Sequence, residues 1–485
     1  MAGWIARSVN HPSINELANR NFILSILIRQ SQIILPDGET LLGDVYVKDG
    51  KIAAIADAID PTDISNDDQP LEIIEAQGLT LMAGVIDPQV HFREPGLEHK
   101  EDLRSASHAC AKGGVTSFLE MPNTRPLTIT QAALDDKLSR AASKCVVNYG
   151  FFIGATGEVL PDLLNANPTC GIKIFMGSMH GDLLIDQEEL LDRIFSQGDR
   201  LIAVHAEDQA RIAQRRKEFA GSKEPALHSI IQDNQAALNA TQLAVKLSKK
   251  YQRRLHILHM STGEEAEFLR QEKPEWVTAE VTPQHLLMNI GAYEKIGSLA
   301  QMNPPLRSQR DQEILWQALL DGVIDFIATD HAPHTLAEKG FAANEDSQAS
   351  QLDKSSKDTV LLEPANVPSG MPGVETSLPL MLTEAMKGRC TVHQVSQWMS
   401  RNVAKGYKIA NKGEIRVGWD ADLVLVDLHN YKPVRNEELL TKCGWSSFAG
   451  WELTGWPVTT IVGGQVAFAN GKVNPDVRGQ ALQFG

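Results

Sequence analysis

Short runs of alternating apolar and polar residues mark both ends of the chain. Near the N-terminus they are Ile26–Leu35, Gly43–Lys48 and Lys51–Ala56. Near the C-terminus they are Ala421–Val426, Pro457–Val462 and Gln465–Ala469. Asp49-Gly50, between two of these runs, is a strong hairpin signal. Because the two ends share this pattern and differ from the middle, we expect them to form one small β-sandwich domain together.

The middle of the chain has a different rhythm, in which short apolar runs alternate with helical patterns. The eight runs are Met82–His91, Val115–Met121, Val146–Ile153, Gly171–Met176, Leu201–His205, Leu255–His259, Val277–Val281 and Ile324–Thr329. The clearest helical pattern covers Gln232–Lys249. This alternation predicts an α/β fold, a (β/α)8 TIM-type barrel. A doubly wound open sheet is the competing prediction, but no G-x-G-x-x-G motif follows the first run.

These patterns predict the domain organisation. Residues 1–22 form an N-terminal extension, 23–81 the first part of the β domain, 82–411 the barrel and 412–485 the second part of the β domain. Within the barrel, residues 337–368 are rich in Ser, Asp, Glu, Gln and Asn and have no period, which predicts a flexible loop. The loop follows the eighth run, so we expect it to leave from the catalytic face of the barrel.

Composition narrows the class of protein. With 485 residues, 42% of them hydrophobic, the chain is too long for one core and has a globular composition. A net charge of −15 without a long Lys/Arg run argues against nucleic-acid binding. The five cysteines are widely spaced and form no C-x-x-C motif, which argues against a disulfide framework. The apolar run at residues 22–28 is too short to cross a membrane, so we expect a cytoplasmic protein without membrane contact.

Residues that suit a metal site stand at the ends of the predicted strands, where barrels carry their active sites. The set is His91, Lys173, His205, His259, Asp330 and His334, accompanied by Arg93 and Asn123. Imidazole and carboxylate ligands suit Zn²⁺, which lowers the pKa of its bound water to about 7. Asp330 is placed to accept a proton from that water and to pass it to a leaving amide nitrogen. One such histidine is usually structural, but the whole set predicts a metal-dependent hydrolase.

Six separated segments carry a family resemblance. They are Asp87–Gly96, Met121–Thr124, Gly171–Phe175, His256–Ser261, Asn303–Arg307 and Ala328–His334. In this order they resemble the dihydroorotases of the amidohydrolase superfamily, and the resemblance runs over nearly the whole chain from about residue 25. It implies reversible hydrolysis of (S)-dihydroorotate to N-carbamoyl-L-aspartate in pyrimidine synthesis.

The resemblance also implies a role for each matching residue. The implied metal ligands are His91 and Asp330 at a first zinc, His205 and His259 at a second, and a carbamylated Lys173 bridging the two. Asp330 is the implied general acid/base. The implied substrate contacts are Arg93, Asn123 and His334 to a carboxylate, and Asn303 to the ring. Related allantoinases and hydantoinases generally lack this Arg, so Arg93 favours a carboxylate-bearing substrate. The alternative role of Arg93 is an ion pair with Glu94 or Glu98.

The chain departs from the family pattern at Gln89, which stands where the motif Asp-x-His-x-His has its first histidine. An amide oxygen can ligate zinc but is a weaker donor than imidazole, so the site holds one or two Zn²⁺ ions. Gln284-His285 likewise stands where two histidines are common. These departures leave two alternatives to a dihydroorotase. One is an allantoinase- or hydantoinase-like enzyme, and the other is a non-catalytic subunit that partners aspartate transcarbamoylase. The family resemblance further implies a homodimer.

Overall fold

The computed structural model describes residues 25–64, 70–157, 161–179, 181–220, 226–341 and 367–485. The predicted N-terminal extension 1–22 lies outside the described residues, as do residues 342–366 of the predicted loop. Among the helices in the described ranges, none is both long enough and apolar enough to cross a membrane.

Strands and helices alternate through the middle of the chain, and strands predominate at both ends. The strands are β1 (Ser25–Ile34), β2 (Thr40–Lys48), β3 (Lys51–Ala56), β4 (Leu71–Glu75), β5 (Thr80–Ala83), β6 (Val85–Val90), β7 (Val115–Glu120), β8 (Asn148–Phe151), β9 (Ile153–Gly154), β10 (Ile172–Phe175), β11 (Ile202–His205), β12 (Leu255–Ile257), β13 (Val277–Val281), β14 (Phe326–Ile327), β15 (Leu423–Asp427), β16 (Lys432–Pro433), β17 (Glu452–Leu453), β18 (Trp456–Val462), β19 (Gln465–Ala469) and β20 (Lys472–Val473). The helices are α1 (Pro61–Ile64), α2 (Leu103–Lys112), α3 (Gln131–Lys144), α4 (Pro161–Asn165), α5 (Glu188–Phe195), α6 (Gln209–Glu218), α7 (Leu227–Ile231), α8 (Asn234–Tyr251), α9 (Gly263–Glu272), α10 (Pro283–Leu287), α11 (Ala292–Ile296), α12 (Gln309–Leu320), α13 (Ser377–Met386), α14 (Val392–Ser396) and α15 (Asn402–Tyr407).

The β domain is built from both ends of the chain, as the shared pattern predicts. Its sheet runs β20-β19-β18-β15-β5-β1-β2-β3, and β4 pairs with β1. The apolar faces of these strands form one core, with Ile26, Val45 and Leu81 from the first segment and Leu423 and Ile461 from the second. Burial of both sets in one core holds the two distant segments together.

The predicted hairpin joins β2 to β3. Lys48 pairs with Lys51, and Asp49 and Gly50 have φ angles of 51° and 75°. Two central residues with positive φ define the turn type whose twist matches the flanking strands.

The barrel strands β6 to β14 are parallel and pair in chain order, with β8 and β9 forming one strand interrupted at Phe152. The eight predicted runs therefore coincide with the eight barrel strands, and the (β/α)8 barrel is confirmed. One boundary was wrong, because Met82 and Ala83 pair antiparallel with β15 and belong to the β domain. The predicted helix Gln232–Lys249 is α8, which starts at Asn234 because the Asp233 side chain caps it by accepting from the Ala236 amide.

The first and eighth strands of the barrel meet at a seam that closes it. Val90 forms a parallel bridge with His331, and the His91 amide donates to the His331 carbonyl at 2.7 Å. Below them the buried Asp87 carboxylate accepts from the Thr329 amide at 3.1 Å and from its hydroxyl at 2.6 Å. Burial raises the pKa of Asp87 to about 7, and the two bonds from Thr329 oppose that rise. We call the contacts of Asp87, Val90 and His91 with Thr329 and His331 the closing seam.

The described flanks of the predicted loop 337–368 are residues 337–341 and 367–368. They are packed against the barrel, so the flexible-loop prediction does not hold for them. Lys339 is fully buried, and its ammonium donates to the carbonyls of Gln301, Pro368 and Gly370 at 2.9–3.1 Å. Composition alone could not reveal that one lysine of a polar segment finds three buried acceptors.

Replacing Thr329 tests the closing seam. Thr329→Val removes the hydroxyl donor and leaves one oxygen of the buried Asp87 carboxylate without this partner. We expect the free energy of unfolding to fall by about 1–3 kcal/mol. Urea unfolding of the metal-free protein measures it as a lower midpoint at unchanged slope.

The matched control for this prediction is Thr459→Val, on β18 and only half-buried. We expect this control to keep its midpoint. Equal midpoints for the two variants would show that the seam bond does not contribute to stability.

Candidate active site

A small cavity opens at the C-terminal ends of the barrel strands and brings together residues from across the sequence. Its volume is about 110 Å³. It is lined by Gln89, His91, Arg93, Asn123, Phe175, Ser178, Met179, His205, His259, Asn303, Asp330, Ala332, Ser369 and Gly370. Eight of these residues are predicted site residues. Pockets for drug-sized ligands measure roughly 300–1,000 Å³, so this cavity suits a molecule of about one ring.

His91 and Asp330 face each other across the closing seam. The His91 Nδ1 atom lies 2.7 Å from the Asn123 Oδ1 atom, and Nε2 lies 3.2 Å from the Asp330 Oδ1 atom. An amide oxygen only accepts, so Nδ1 carries the proton. Burial lowers the pKa of His91, which leaves the ring neutral and Nε2 as a bare lone pair. Two electron-pair donors thus face each other without a proton between them, an arrangement that suits a cation.

Gln89 lies beside this pair. Its amide nitrogen donates to the Asp330 Oδ1 atom at 3.1 Å, and its buried amide oxygen has no hydrogen-bond partner in the described ranges. Gln284, the other departure from the family pattern, donates to the Thr329 carbonyl at 3.0 Å. Gln284 therefore supports the closing seam from outside the cavity, whereas Gln89 contacts the reactive carboxylate directly.

His205 and His259 form a second pair on neighbouring strands. His205 Nδ1 lies 2.9 Å from His259 Nε2, and His205 Nε2 lies 2.7 Å from the Glu207 carboxylate. Glu207 also accepts from the Ser178 hydroxyl at 2.5 Å. A carboxylate on one imidazole nitrogen holds the proton there and turns the other nitrogen into a ligand. Burial keeps the pKa of His259 well below its usual range, so that ring is neutral and able to ligate.

Lys173 is fully buried beside the cavity, and its Nζ atom has no hydrogen-bond partner among the described residues. The ammonium lies 4.3 Å from the centre of the Phe175 ring, which lines the cavity. Burial lowers the pKa of Lys173 to about 7, although nearby Asp330 and Glu280 oppose the shift. A substantial fraction of the side chain is therefore a neutral, nucleophilic amine near neutral pH, as reaction with CO₂ requires.

The donor set fits a metal. Within the described ranges, no three His, Cys, Asp or Glu side chains converge as a ligand set. Two such side chains do meet at each of two places, His91 with Asp330 and His205 with His259. A third ligand must then be of another residue type. The candidates are the buried Gln89 oxygen and Lys173 nitrogen, which have no partner in the described part of the chain and belong to residues at or beside the cavity.

Arg93 lines the cavity with a backbone φ of 68°, an uncommon conformation for a side chain of its size. Its Nε atom donates to the Pro333 carbonyl at 3.1 Å. Burial lowers its pKa to about 10, so the guanidinium remains charged at neutral pH. The alternative ion pair with Glu94 or Glu98 is not what the structure contains. Glu94 contacts Lys144 and Arg140, and Glu98 accepts from the Gly96 amide.

The remaining predicted contacts occupy the wall of the cavity. Asn303 lines the cavity, and its side-chain oxygen lies 2.9 Å from the His228 Nε2 atom. His334 lies behind Arg93, with its Nε2 atom 3.3 Å from the Arg93 Nη2 atom. The structure thus brings all the predicted site residues to one region, with Lys173 and His334 just behind the lining.

Several site residues were missed by the sequence reasoning. Glu207 follows His205 by two residues, and this spacing after a strand-end histidine was a usable signal. Ser369 and Gly370 reach the cavity from the far side of residues 342–366, which no local pattern could indicate. His256 and Glu280 form a fully buried pair, with the His256 Nε2 atom 2.9 Å from the Glu280 Oε2 atom. Glu280 also accepts a hydrogen bond from the His259 amide. Glu280 thereby holds the His259 backbone, whose φ is 34°.

Comparison with known proteins identifies the family of the chain. The amidohydrolase family model matches residues 80–467. A dihydroorotase of Methanosarcina acetivorans is 34% identical, over 91% of this chain and 91% of that protein. A dihydroorotase of Anoxybacillus flavithermus is 32% identical, over 93% of this chain and 100% of that protein.

Solved structures with the same fold include an L-hydantoinase from Arthrobacter aurescens, with a TM-score of 0.84 and 29% identity. It covers 94% of this chain, and the match extends over 99% of its own length. A dihydropyrimidinase from Brevibacillus agri shares the fold with a TM-score of 0.82 at 24% identity. The family model, the relatives and the fold agree over most of the sequence, and the chain belongs to the amidohydrolase family.

Proposed function

We propose that this protein is a dihydroorotase, a hydrolase of cyclic amides that interconverts (S)-dihydroorotate and N-carbamoyl-L-aspartate. The observation that carries the proposal is Arg93, a buried, charged guanidinium in the wall of a one-ring cavity beside the His91–Asp330 pair. The dihydroorotase relatives support the same assignment.

The substrate carboxylate binds to donors on one side of the cavity. Arg93 supplies the charge and a planar fork that matches two carboxylate oxygens. The Asn123 oxygen is engaged by His91, so its amide nitrogen is the group left to donate to substrate. His334 adds an imidazole next to Arg93, and Asn303 in the cavity wall contacts the ring.

The reaction opens the ring at the amide next to the methylene carbon. Water adds to the carbonyl carbon, the bond from that carbon to the ring nitrogen breaks, and the nitrogen leaves as the ureido amine. Asp330 accepts the proton of the attacking water at its carboxylate and delivers it to the departing nitrogen. The Gln89 amide holds the Asp330 Oδ1 atom from the side, which orients the carboxylate for both transfers.

Lys173, His205 and His259 would hold a zinc ion, with Lys173 as the carbamate that its neutral amine can form with CO₂. A zinc ion at this place supplies Lewis acidity, which lowers the pKa of bound water to about 7 and polarises a carbonyl. Glu207 fixes the ring of His205 for this role. The His91–Asp330 side lacks one imidazole because of Gln89, so it holds a second zinc ion more weakly.

The non-catalytic alternative, a subunit that partners aspartate transcarbamoylase, is favoured by Gln89 alone. It is opposed by the retention of Lys173, His205, His259, Asp330 and Arg93 around one cavity. A homodimer of active subunits in the cytoplasm remains our expectation for the assembly.

Ring opening of dihydroorotate is the direct test of activity. We expect the zinc-loaded protein to hydrolyse dihydroorotate and to act weakly on dihydrouracil and hydantoin, which carry no carboxylate. Arg93→Met should lower kcat/KM for dihydroorotate on the order of 100-fold, the equivalent of about 3 kcal/mol for a charged hydrogen bond. The loss of ring absorbance measures the rate of hydrolysis for each substrate and for each of the two proteins.

The control for Arg93→Met is its activity on hydantoin, which should stay at the wild-type level. Hydrolysis of hydantoin but not of dihydroorotate by the wild-type enzyme would reassign the protein to a hydantoinase. No turnover together with zinc-free protein and a co-purifying transcarbamoylase would support the non-catalytic subunit.

Metal analysis after dialysis at low zinc tests the role of Gln89. We expect about one zinc ion per wild-type chain and about two per Gln89→His chain, because imidazole is the stronger zinc ligand. Gln284→His is the control and should leave the zinc content unchanged, since Gln284 contacts the closing seam. Two tightly held ions in the wild type would contradict the weakened first site.

The state of Lys173 is tested by mass spectrometry of the intact protein at neutral and acidic pH. We expect a fraction heavier by one CO₂ that increases with bicarbonate and disappears in acid. Lys173→Ala should lack this species and retain no more than one-tenth of the wild-type zinc. An unmodified Lys173 in a fully active, zinc-loaded enzyme is the result that would exclude carbamylation.

A further inference from the structure

His334 is surrounded by polar groups on both sides of its ring. On one side, Nε2 lies 3.3 Å from the Arg93 Nη2 atom and 3.2 Å from the Ser369 carbonyl oxygen. On the other side, Nδ1 lies 3.2 Å from the Lys100 Nζ atom and 3.5 Å from the Glu338 Oε2 atom. Both partners of Nε2 line the cavity, whereas Lys100 and Glu338 do not.

The ring carries only one proton. Burial lowers the pKa of His334 to about 3, so the imidazole is neutral at physiological pH. A neutral imidazole is a donor at one nitrogen and an acceptor at the other. If Nδ1 carries the proton, it donates to Glu338, and Nε2 accepts from Arg93. If Nε2 carries the proton, it donates to Ser369, and Nδ1 accepts from Lys100.

The surroundings of Nδ1 favour the second arrangement. A lysine ammonium has donors only, so Lys100 can contact Nδ1 only as an unprotonated acceptor. Lys100 is also the nearer neighbour, at 3.2 Å against 3.5 Å for Glu338. Glu338 is already satisfied by Lys100 at 3.0 Å and by the Thr335 amide at 3.0 Å. At Nε2 the acceptor is the nearer neighbour, because the Ser369 carbonyl oxygen lies at 3.2 Å and the Arg93 Nη2 atom at 3.3 Å. The nearer partner at each nitrogen thus fits the form with the proton on Nε2.

This tautomer gives the cavity a specific preference. The Nε2–H group of His334 donates to the Ser369 carbonyl oxygen, so the ring accepts nothing from Arg93 and leaves the Arg93 Nη2 donor to the substrate. An anionic carboxylate is the best acceptor for a guanidinium donor. The other tautomer would instead let His334 accept from Arg93, which would engage the guanidinium and remove one donor from the substrate.

We propose that Lys100 is a positioning residue that holds His334 in its Nε2–H form and thereby sets the preference of the cavity for ring substrates with a carboxylate. The proposal rests on the proposed function for the identity of that substrate. Lys100 acts through His334 and touches neither the substrate nor a metal ligand. It lies in the segment between β6 and α2, and its ion pair with Glu338 holds an ammonium whose side chain is only 13% exposed.

The test compares Lys100→Met with Lys100→Arg. Nitrogen-15 NMR of ring-labelled histidine reports which ring nitrogen carries the proton, and the His334→Gln spectrum assigns the signal. We expect His334 to be the Nε2–H form in the wild type and in Lys100→Arg, and to shift to the Nδ1–H form in Lys100→Met. We also expect KM for dihydroorotate to rise about tenfold in Lys100→Met at nearly unchanged kcat, with hydantoin hydrolysis unaffected.

Lys273→Met is the matched control, because Lys273 is 15% exposed and pairs with Asp325 at 2.8 Å away from the cavity. Lys273→Met should change neither the tautomer of His334 nor KM for dihydroorotate. If Lys100→Met does not fold, Lys100→Leu also lacks a hydrogen-bond donor and gives the same two readings.

An unchanged His334 signal in Lys100→Met would overturn the proposal, as would equal losses on dihydroorotate and hydantoin. The tautomer reading needs no turnover. If the wild-type protein fails to hydrolyse dihydroorotate, the proposed function is lost while the NMR comparison still decides the role of Lys100.

Discussion

The closing seam between the first and eighth barrel strands is the constraint on which the site depends. The Asp87 carboxylate accepts hydrogen bonds from both the amide and the hydroxyl of Thr329. One layer above, the His91 amide donates to the His331 carbonyl. This contact sets residues about 240 positions apart side by side. Gln89 and His91 arrive from one strand and Asp330 from the other, so the relative position of proton acceptor and metal ligands follows from how the barrel closes.

Around that seam the site is built from groups that the protein does not satisfy internally. Lys173, His259 and Gln89 each keep a buried polar atom that has no partner among the residues the structure describes. Each such atom costs about 1–3 kcal/mol of stability. The cost is tolerated because the same desolvation leaves a neutral lysine and neutral imidazoles. These are the protonation states that CO₂ capture and metal ligation require.

The strands could be predicted because each barrel strand is a short run buried on both faces, and the site residues because they terminate those runs. The error at Met82–Ala83 arose because a buried strand of the β domain and one of the barrel look alike when only Gly84 separates them. The alternative partners of Arg93, Glu94 and Glu98, were sequence neighbours, whereas in the structure Arg93 donates to Pro333 across the seam. Ser369 and Lys100 act through tertiary contacts, so no local periodicity carries information about them.

Lys339 has a consequence that reaches beyond the chemistry. Its ammonium bonds the carbonyls of Gln301, Pro368 and Gly370 together, which clamps the chain just before and just after residues 342–366. Ser369 and Gly370, which form part of the cavity wall, are anchored by that clamp. One buried ammonium therefore decides where the returning chain joins the cavity wall, and the position of that wall is as sensitive to Lys339 as to the residues that form it.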